Sequence, residues 1–260
     1  MTTKTSGRIV IVTGTSQGIG QAIARTFLDN GDTVIGCAFS ALEKAPAAQE
    51  MLKAYPDRYF YYSVDVTHTE SIQQFVESAE KQFGRIDVVV SNAGKNVFKG
   101  IDCEISDWEH NFGLNLRSHW YLAKCARPAL KKSRGTIIVI TSNHAFSTMP
   151  GCAPYNISKR ALLSLVQSMT IEWGPEIRSV GIAPGFIDTL GNQAWFDSHP
   201  DAQIARDRTI KKHPVGRIGH PDEVGELCLF LASDKAGFIA GTTIVMDGGR
   251  SAIMQDEEER

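Results

Sequence analysis

The chain has 260 residues, of which 42% are hydrophobic, and it carries a formal net charge of −2. This length suits one large α/β domain or two small ones, and the apolar fraction is sufficient for a sizeable buried core. The nearly balanced charge gives no indication of a nucleic-acid partner or an anionic membrane partner, so we expect neither.

Seven apolar runs of strand length recur along the chain, separated by longer segments of helical periodicity. Most of them are rich in β-branched residues, and none contains proline. Their apolar residues are continuous rather than alternating, which is typical of strands in a parallel sheet that is covered on both faces. The predicted strands are Arg8–Thr13, Thr33–Ala38, Tyr59–Val64, Ile86–Ser91, Thr136–Thr141, Ser179–Ala183 and Thr242–Met246.

Five segments between these runs carry apolar residues at three- and four-residue spacing, which is the pattern of an amphipathic helix. Two of them begin near a sequence that matches a capping box, Thr67-x-x-Glu70 and Ser106-x-x-Glu109. Pro221 and the two acids after it suit the first turn of the last helix. The predicted helices are Ile19–Leu28, Ser71–Phe83, Trp108–Leu130, Pro154–Trp173 and Asp222–Ala232.

This alternation predicts an α/β fold: a Rossmann-type doubly wound parallel sheet of about seven strands with helices on both faces. No repeat, low-complexity linker or break in composition divides the chain, so we predict a single domain over residues 1–260. The stretch Leu190–His213 lacks clear periodicity and follows a strand's carboxyl end, where ligands bind in such folds. We interpret residues 190–213 as a substrate lid; an irregular surface insertion is the alternative.

The ends of the chain and its cysteines indicate a cytoplasmic protein. Residues Met1–Gly7 are polar and lead into the first strand, and no apolar run is long enough for a signal peptide or a membrane span. The five cysteines are scattered and include no CxxC pair, which favours reduced thiols over a disulfide frame or a metal site. We interpret the acidic end Asp256-Glu-Glu-Glu259 as a solvated tail.

A glycine-rich turn follows the first strand and precedes the first helix. Its sequence is Thr13-Gly-Thr-Ser-Gln-Gly-Ile-Gly20, so its glycines have the spacing GxxxGxG. Glycines in such a turn let the backbone approach a diphosphate, while the helix N-terminus supplies free N–H groups. The sequence therefore predicts a dinucleotide site here, with a purely structural turn as the alternative. Its predicted contacts are Gly14, Ser16, Gln17, Gly18, Ile19 and Gly20.

Two further strand ends fit the same dinucleotide. Asp65-Val66 follows the third strand, where a carboxylate can accept a hydrogen bond from the adenine amino group. Asn92-Ala93-Gly94 follows the fourth strand, where small residues admit the ribose. Each of these segments, taken singly, is also compatible with an ordinary cap or turn.

The choice between NAD and NADP depends on the end of the second strand, where an acid that binds the ribose is expected. The sequence there is Cys37-Ala38-Phe39-Ser40, which has neither an acid to repel a 2′-phosphate nor an arginine to pair with it. Gln17, Ser40 and Lys44 offer weaker contacts to a phosphate. We predict that the cofactor is NAD(P), and we favour NADP.

Tyr155 and Lys159 stand four residues apart near the start of a predicted helix, so both project from one face. A neighbouring ammonium, with the positive charge of an oxidised nicotinamide, lowers the pKa of a phenol, which is otherwise near 10. Such a pair can exchange a proton with a carbinol oxygen while hydride moves to or from the cofactor. An ordinary helix with an exposed tyrosine and lysine is the alternative.

Two polar residues accompany this pair. Ser142 ends the fifth predicted strand, thirteen residues before Tyr155, and its hydroxyl can donate to the substrate oxygen. Asn115 lies within a long predicted helix, where asparagine is a mediocre helix former. Its amide can hold a water that carries protons from Lys159, and a solvated surface asparagine is the alternative.

Together these motifs resemble the short-chain dehydrogenase/reductase family, in the branch whose chains are about as long as this one. The resemblance extends from Arg8 to Gly249 and includes Gly216-Arg-Ile-Gly-His-Pro-Asp-Glu-Val and Met246-Asp-Gly-Gly. The other shared elements are Thr13-Gly14-x-x-x-Gly18-Ile19-Gly20, Asn92-Ala93-Gly94, Asn115, Ser142, Tyr155-x-x-x-Lys159 and Pro184-Gly185-Phe186-Ile187-Asp188-Thr189.

The resemblance implies a role for each of these residues. It makes Tyr155 the acid and base, and Lys159 the group that lowers the pKa of Tyr155 and binds the nicotinamide ribose. Ser142 orients the substrate and Asn115 supports a proton relay. The turn that starts at Pro184 and Gly185 binds the cofactor, with Ile187 and Thr189 at the nicotinamide carboxamide. The resemblance also implies a homotetramer.

Two departures from the family's pattern stand out. Gln17 occupies a position where many relatives that use NADP have arginine. Before the Pro184-Gly185 turn, the chain reads Glu176-Ile-Arg-Ser-Val180, one residue shorter than is common and without a usual asparagine. Neither departure affects the four catalytic positions.

The residues expected around the substrate combine aromatic walls with a few polar groups, which suits a sugar that stacks by its apolar face. We therefore favour oxidation of a sugar or polyol over reduction of a 3-oxoacyl thioester or a cyclic ketone. A dinucleotide-binding sensor without turnover is a third interpretation. The predicted substrate residues are Asn96, Ser142, His144, Tyr155, Phe186 and Trp195.

Overall fold

The computed structural model describes residues 7–253. The polar N-terminal residues and the acidic end Asp256-Glu-Glu-Glu259, for which we made predictions above, lie outside the described residues. Within residues 7–253, no helix combines the length and the hydropathy that crossing a bilayer requires. In the same part of the chain, no group of three histidine, cysteine or acidic side chains is arranged to hold a metal ion.

Seven parallel strands form one sheet in the order β3-β2-β1-β4-β5-β6-β7, which confirms the predicted doubly wound fold. The strand boundaries differ from the predicted ones by at most two residues. The strands are β1 (Ile9–Thr13), β2 (Thr33–Ala38), β3 (Tyr59–Ser63), β4 (Val88–Ser91), β5 (Thr136–Ile140), β6 (Arg178–Pro184) and β7 (Thr243–Met246).

The helices connect the strands and cover both faces of the sheet. They are α1 (Gly18–Asp29), α2 (Pro46–Ala54), α3 (Thr69–Phe83), α4 (Ile105–Phe112), α5 (Ser118–Ser133), α6 (Ala153–Trp173), α7 (Leu190–Asp197), α8 (Ala202–Lys211) and α9 (Pro221–Leu231). Short 3-10 turns lie at Leu42–Lys44, Asn143–Ala145, Asp234–Ala236 and Arg250–Ala252. All five predicted helical segments are helical, and α2 was not predicted.

The core has two layers because successive strand side chains point to opposite faces of the sheet. In β1, Ile9 and Ile11 pack with residues of α3, α5 and α6. The residues between and after them, Val10 and Val12, pack with residues of α1, α2 and α9. All four are fully buried, which is why the strand reads as a continuous apolar run.

Both predicted capping boxes are wrong. The side chain of Thr67 donates to Asp65 at 2.7 Å, and α3 begins two residues later without a side-chain cap. Ser106 lies inside α4, whose N-cap is Glu104. The predicted first turn at Pro221 is confirmed, because His220 and Glu223 form a capping box there.

The predicted helix Trp108–Leu130 is interrupted. A π-helical segment, Gly113–Arg117, lies between α4 and α5, and the Ser118 N–H donates to the carbonyl of Gly113, five residues earlier. One extra residue in a helical turn changes which side chains face the sheet. Asn115 is at the centre of this segment, so the irregularity coincides with a predicted site residue.

The stretch Leu190–His213 holds two short helices, α7 and α8, where the sequence lacked clear periodicity. Each begins at a side-chain cap: Thr189 accepts from the Asn192 N–H, and Asp201 accepts from the Ile204 N–H. Phe196 and Ala205 bury a small apolar cluster between them. Because the helices bury few residues each, their apolar pattern is weak in the sequence.

Candidate active site

The glycine-rich turn lies at the carboxyl end of β1, beside β4, where the direction of strand progression reverses. Ligands bind at this point in open α/β sheets. Gly14 has a φ of +79°, and a Cβ at Gly20 would lie 2.2 Å from the Gly14 carbonyl oxygen, so both positions require glycine. The N-cap Gln17 makes no side-chain capping bond, which leaves the first N–H groups of α1 to a phosphate.

Thr13 joins this turn to the loop after β4. Its hydroxyl accepts from the backbone N–H groups of Asn92 at 3.0 Å and Ala93 at 2.9 Å. The Asn92 side chain donates back to the Thr13 carbonyl at 2.8 Å. These bonds hold the loop Asn92-Ala93-Gly94 against the glycine-rich turn.

The predicted adenine end lies along the carboxyl ends of β2 and β3. Phe39 is 78% exposed after β2, so its ring offers an open apolar face there. The Ser40 carbonyl accepts from the Tyr61 hydroxyl at 2.7 Å, which fixes this loop on β3. Burial raises the pKa of Asp65, but hydrogen bonds from Thr67 outweigh it and keep the pKa below its usual range. Val66 is half-buried next to it.

Lys159, Asn115 and Gly94 converge beneath the cleft. Lys159 is 3% exposed, and its ammonium donates to the Ile140 carbonyl at 3.1 Å. A Cβ at Gly94 would lie 2.8 Å from Asn115 Oδ1 and 3.3 Å from Lys159 Nζ. The loop after β4 thus needs glycine at 94 because two polar side chains occupy the adjacent space.

The Asn115 amide makes a reciprocal pair with the backbone of Lys95. Its Oδ1 accepts from the Lys95 N–H, and its Nδ2 donates to the Lys95 carbonyl, both at 3.0 Å. Asn115 is fully buried, so it is not the solvated surface asparagine that we weighed. These bonds assign its amide to holding the loop after β4. A role in a proton relay stays a prediction.

Tyr155 lies in the first turn of α6, where its neighbours are Lys159, Ser142 and His144. Lys159 Nζ is 5.7 Å from the centroid of the Tyr155 ring, and the His144 ring is also 5.7 Å away. The Ser142 hydroxyl accepts from the His144 N–H at 3.2 Å. The three predicted acid–base and orienting side chains are therefore brought together, and His144 borders them.

Burial dominates the charge states of this cluster. It raises the pKa of Tyr155 to about 12, although a hydrogen bond from Ser142 acts in the opposite direction. It lowers the pKa of Lys159 to about 7. We had expected the ammonium to lower the pKa of Tyr155. In the protein without cofactor, the loss of hydration outweighs that attraction at both groups.

The turn after β6 lies between β7 and the glycine-rich turn. Gly185 donates to the Met246 carbonyl at 2.9 Å, and Ile187 pairs with Gly219 as an isolated bridge. A Cβ at Gly18 would lie 3.4 Å from Thr189 Cγ2. Thr189 therefore lies against the phosphate turn, and Pro184, which ends β6, leads the chain to it.

The predicted substrate residues fall into two groups. Phe186 and Trp195 pack with Phe196, with ring centroids 5.2–5.6 Å apart. His144 lies beside Tyr155, and its Nδ1 is 3.1 Å from the Thr148 hydroxyl. Asn96 is half-buried, and its Oδ1 has no hydrogen-bond partner among the described residues. The aromatic group joins the turn after β6 to α7, whereas the polar group lies on the side of Tyr155 and Ser142.

Sequence reasoning missed three residues that shape the site. Thr13 was quoted only as the first residue of the glycine turn. His119 is buried four residues after Asn115 and shares a 2.7 Å hydrogen bond with the Ser91 hydroxyl. Arg206 of α8 forms an ion pair with Asp188 at 2.5 Å, linking α8 to the turn after β6. Only the i+4 spacing of Asn115 and His119 was visible in the sequence.

Comparisons with known proteins agree with this geometry. A family model described as Enoyl-(Acyl carrier protein) reductase matches residues 14–251. An uncharacterized oxidoreductase of Thermotoga maritima is 35% identical and covers 97% of this chain and 99% of its own. The 3-oxoacyl-acyl-carrier-protein reductase FabG of the same organism is 31% identical, over 94% of this chain and 97% of its own.

The chain is also similar to a human protein and to an archaeal protein of known structure. Human dehydrogenase/reductase SDR family member 4 is 30% identical over 94% of this chain and 87% of its own. The ligand-free structure of Thermoplasma acidophilum aldohexose dehydrogenase is 29% identical, with a TM-score of 0.88 over 100% of both chains. The names of these relatives point to dehydrogenase or reductase chemistry on different substrates.

Proposed function

Because the chain belongs to the short-chain dehydrogenase/reductase family, we propose that it is an NAD(P)-dependent oxidoreductase that acts on a sugar or polyol. The observation that carries the proposal is the convergence of Tyr155, Lys159 and Ser142 beside a glycine-rich dinucleotide turn. The bound cofactor supplies a hydride acceptor or donor. This chain's residues bind it, orient the substrate and move the proton.

The residues present fit a dinucleotide. The uncapped N-terminus of α1 would hold the diphosphate, and the loop Asn92-Ala93-Gly94 would face the nicotinamide ribose. Lys159 would donate to that ribose, since its ammonium is buried next to Gly94. Phe39 and Asp65 would contact the adenine end.

The proton would pass through Tyr155. In oxidation, its phenolate oxygen accepts the proton of the substrate hydroxyl; in reduction, its phenol donates a proton to the carbonyl oxygen. The Ser142 hydroxyl, held by the His144 N–H, would orient that oxygen. Burial excludes water from Lys159, whose ammonium donates to the Ile140 carbonyl and would have its remaining protons for the cofactor.

The preference for a sugar or polyol rests on the aromatic group of the lid and on the similarity to aldohexose dehydrogenase. A flat apolar wall suits the apolar face of a sugar ring. The similarity to FabG favours a second candidate, reduction of a 3-oxoacyl thioester. A spectrophotometric screen of aldoses, polyols, cyclic ketones and a 3-oxoacyl thioester separates them. Turnover of the thioester but of no sugar would reject the first proposal.

We expect a modest preference for NADP over NAD, measured as the ratio of the two kcat/KM values. Phe39 and Ser40, directly after β2, include no acid that would repel a 2′-phosphate, and Lys44 lies on the exposed 3-10 turn that follows, although Glu43 precedes it there. Mutation of Lys44→Gln should reduce the ratio, whereas Lys53→Gln on α2 should leave it unchanged. A tenfold or larger preference for NAD would overturn the assignment.

We propose a homotetramer, and we expect a groove along α4 and α5 to be one of its subunit contacts. The groove has a volume of about 1010 Å³ and is lined by exposed aromatic side chains, among them Trp108 and Trp120. Apolar patches of this kind mark protein interfaces. Mutation of Trp120→Glu should give particles smaller than four 28.5 kDa chains by light scattering, whereas Lys53→Glu should not. A monomeric wild type would contradict the proposal.

We also propose a cytoplasmic location. All five cysteines are free thiols, and Cys37, Cys152 and Cys228 are buried. Unpaired cysteines are typical of reducing compartments. Fractionation of the native cells by immunoblotting tests the location, and recovery in an exported fraction would reject it.

A further inference from the structure

Arg250 lies in a tight turn at the edge of the sheet where the cofactor and substrate loops meet. It begins the 3-10 turn that follows β7. The carboxylate of Asp247 builds this turn by accepting from the backbone N–H groups of Gly249 at 3.0 Å and Ser251 at 2.8 Å. Asp247 is 8% exposed, so the base of the turn is buried and its position is fixed.

Two loops of the site hold this turn. The Ser147 hydroxyl, in the loop that also carries Ser142, donates to the Ser251 hydroxyl at 3.3 Å. The Val215 N–H, after the lid, donates to the Gly248 carbonyl at 3.3 Å. The turn therefore lies between the catalytic loop and the end of the lid, and Arg250 projects from it.

The guanidinium of Arg250 is half-buried and has no partner among residues 7–253. No hydrogen bond or ion pair of its side chain occurs there, whereas Arg8, Arg178 and Arg206 bond carboxylates or carbonyls. Burial lowers the pKa of Arg250, and the charge of Asp247 compensates only in part. A partly desolvated cation whose charge is compensated only in part is costly, so an anion at this point would be stabilised.

The positive charge of Arg250 acts on two histidines near the proposed catalytic residues. After burial, the charge of Arg250 contributes to lowering the pKa of His144. It acts in the same direction on His213, which is buried at the end of the lid. His144 lies against Tyr155, and the hydrogen bond between Ser147 and Ser251 joins the turn of Arg250 to the loop that carries Ser142 and His144.

We propose that Arg250 binds a carboxylate of the substrate, so that the enzyme acts on polyhydroxy acids such as aldonates or uronates. This inference rests on the proposed function and specifies its substrate class. A guanidinium presents a planar fork that matches the two oxygens of a carboxylate. With the acid group on Arg250 and a secondary hydroxyl at Tyr155, the substrate is held at two points, and its ring or chain lies along the aromatic wall.

Matched pairs of substrates test the inference with the full-length protein. We would measure kcat/KM for D-glucose against D-gluconate and D-glucuronate, and for D-galactose against D-galactonate and D-galacturonate, with both cofactors. We expect the acid of at least one pair to be preferred about tenfold or more, as for a charge-assisted hydrogen-bonded pair. Binding in the presence of oxidised cofactor, followed by tryptophan fluorescence, gives a second readout.

Variants assign the preference to one side chain. Mutation of Arg250→Gln should reduce the ratio of acid to neutral kcat/KM by about tenfold to 100-fold, mainly through KM. Arg250→Lys should restore part of it, because the charge returns without the fork. Arg25→Gln, the same chemical change on the exposed side of α1, should leave the ratio as it is in the wild type.

Three results would overturn the inference. One is a wild type that prefers, or binds more tightly, the neutral member of every pair. Another is an Arg250→Gln variant that loses acid and neutral activity equally. The third is an acid preference that appears only after the acids of Asp256-Glu-Glu-Glu259 are changed to amides, since Arg250 would then pair with the chain's own end.

The two proposals fail in different ways. If neutral sugars are oxidised and acids are not, the proposed oxidoreductase function stands and the carboxylate site is rejected. If acids bind in a way that depends on Arg250 but nothing is turned over, the carboxylate site stands and the proposed reaction is rejected.

Discussion

Mutation of Tyr155→Phe should reduce kcat by about 1000-fold, which is the contribution expected of a positioned general acid or base. The substitution removes only the hydroxyl, so the ring should keep its contacts with Lys159 and His144. Cofactor affinity should therefore change by less than about threefold, because the change is confined to the proton-transfer step. Steady-state kinetics and cofactor titration by fluorescence measure the two quantities separately.

The pH dependence of oxidation provides an independent readout of the same residue. Burial raises the pKa of Tyr155 to about 12 in the protein without cofactor, so its phenol is protonated at neutral pH. Oxidation needs the phenolate, and its rate should therefore increase as the pH rises above neutral. This increase should disappear in Tyr155→Phe. Tyr61→Phe, which removes a hydroxyl bonded to Ser40 instead, should retain it. A normal rate in Tyr155→Phe would reject the acid–base assignment.

Mutation of Lys159→Met should damage cofactor binding and turnover together. The ammonium lies next to Gly94 and bonds the Ile140 carbonyl, and in the proposed function it also donates to the nicotinamide ribose. Loss of a charged hydrogen bond should weaken cofactor affinity by about tenfold or more. The loss of kcat should be about 100-fold, since the charge near Tyr155 disappears as well. Isothermal titration with cofactor and steady-state kinetics test both parts.

The same variant should be more stable than the wild type when no cofactor is bound. The pKa of Lys159 falls from 10.5 in the unfolded chain to about 7, so the unfolded state binds more protons between these values. Wild-type stability should therefore rise with pH across that window through this residue. Methionine removes the penalty, and the gain should be at most about 4 kcal/mol at pH 7, at about 1.4 kcal/mol per unit of pKa shift, and should vanish towards pH 10.5.

Urea unfolding of the wild type and of Lys159→Met at pH 7 and near pH 10 tests whether the variant is the more stable protein at the lower pH. Lys131→Met on α5 serves as a matched control, because its ammonium is exposed and pairs with Glu176 at the surface. A destabilised Lys159→Met at pH 7 would show that the bond to Ile140 outweighs the cost of burying the charge.

The arrangement of strands could be predicted because it follows from local and periodic features. A run such as Thr136–Ile140 is apolar throughout, and a strand that is buried on both faces needs that composition. The positions of Gly14 and Gly20 were equally readable, since a turn this tight excludes other residues. The spacing of Tyr155 and Lys159 placed both on one helix face before any contact was known.

Features that depend on competing contacts could not be predicted. Thr67 was expected to cap a helix, but its hydroxyl bonds Asp65 instead. The π segment holds Asn115 against the Lys95 backbone, 20 residues earlier in the chain, and its sequence carries no distinct signal. The helices α7 and α8 bury so few residues that their periodicity is faint.

The sequence by itself determined the parallel α/β fold, the dinucleotide turn and the residues of the catalytic cluster, because periodicity and glycine sterics act over a few residues. Only the tertiary structure decided the charge states and the neighbours of that cluster. The shifts in the pKa values of Tyr155 and Lys159 follow from burial, which distant elements create together. The turn of Arg250, 95 residues after Tyr155 in the chain, bonds the loop that carries Ser142 because β7 and β5 end at the same edge of the sheet.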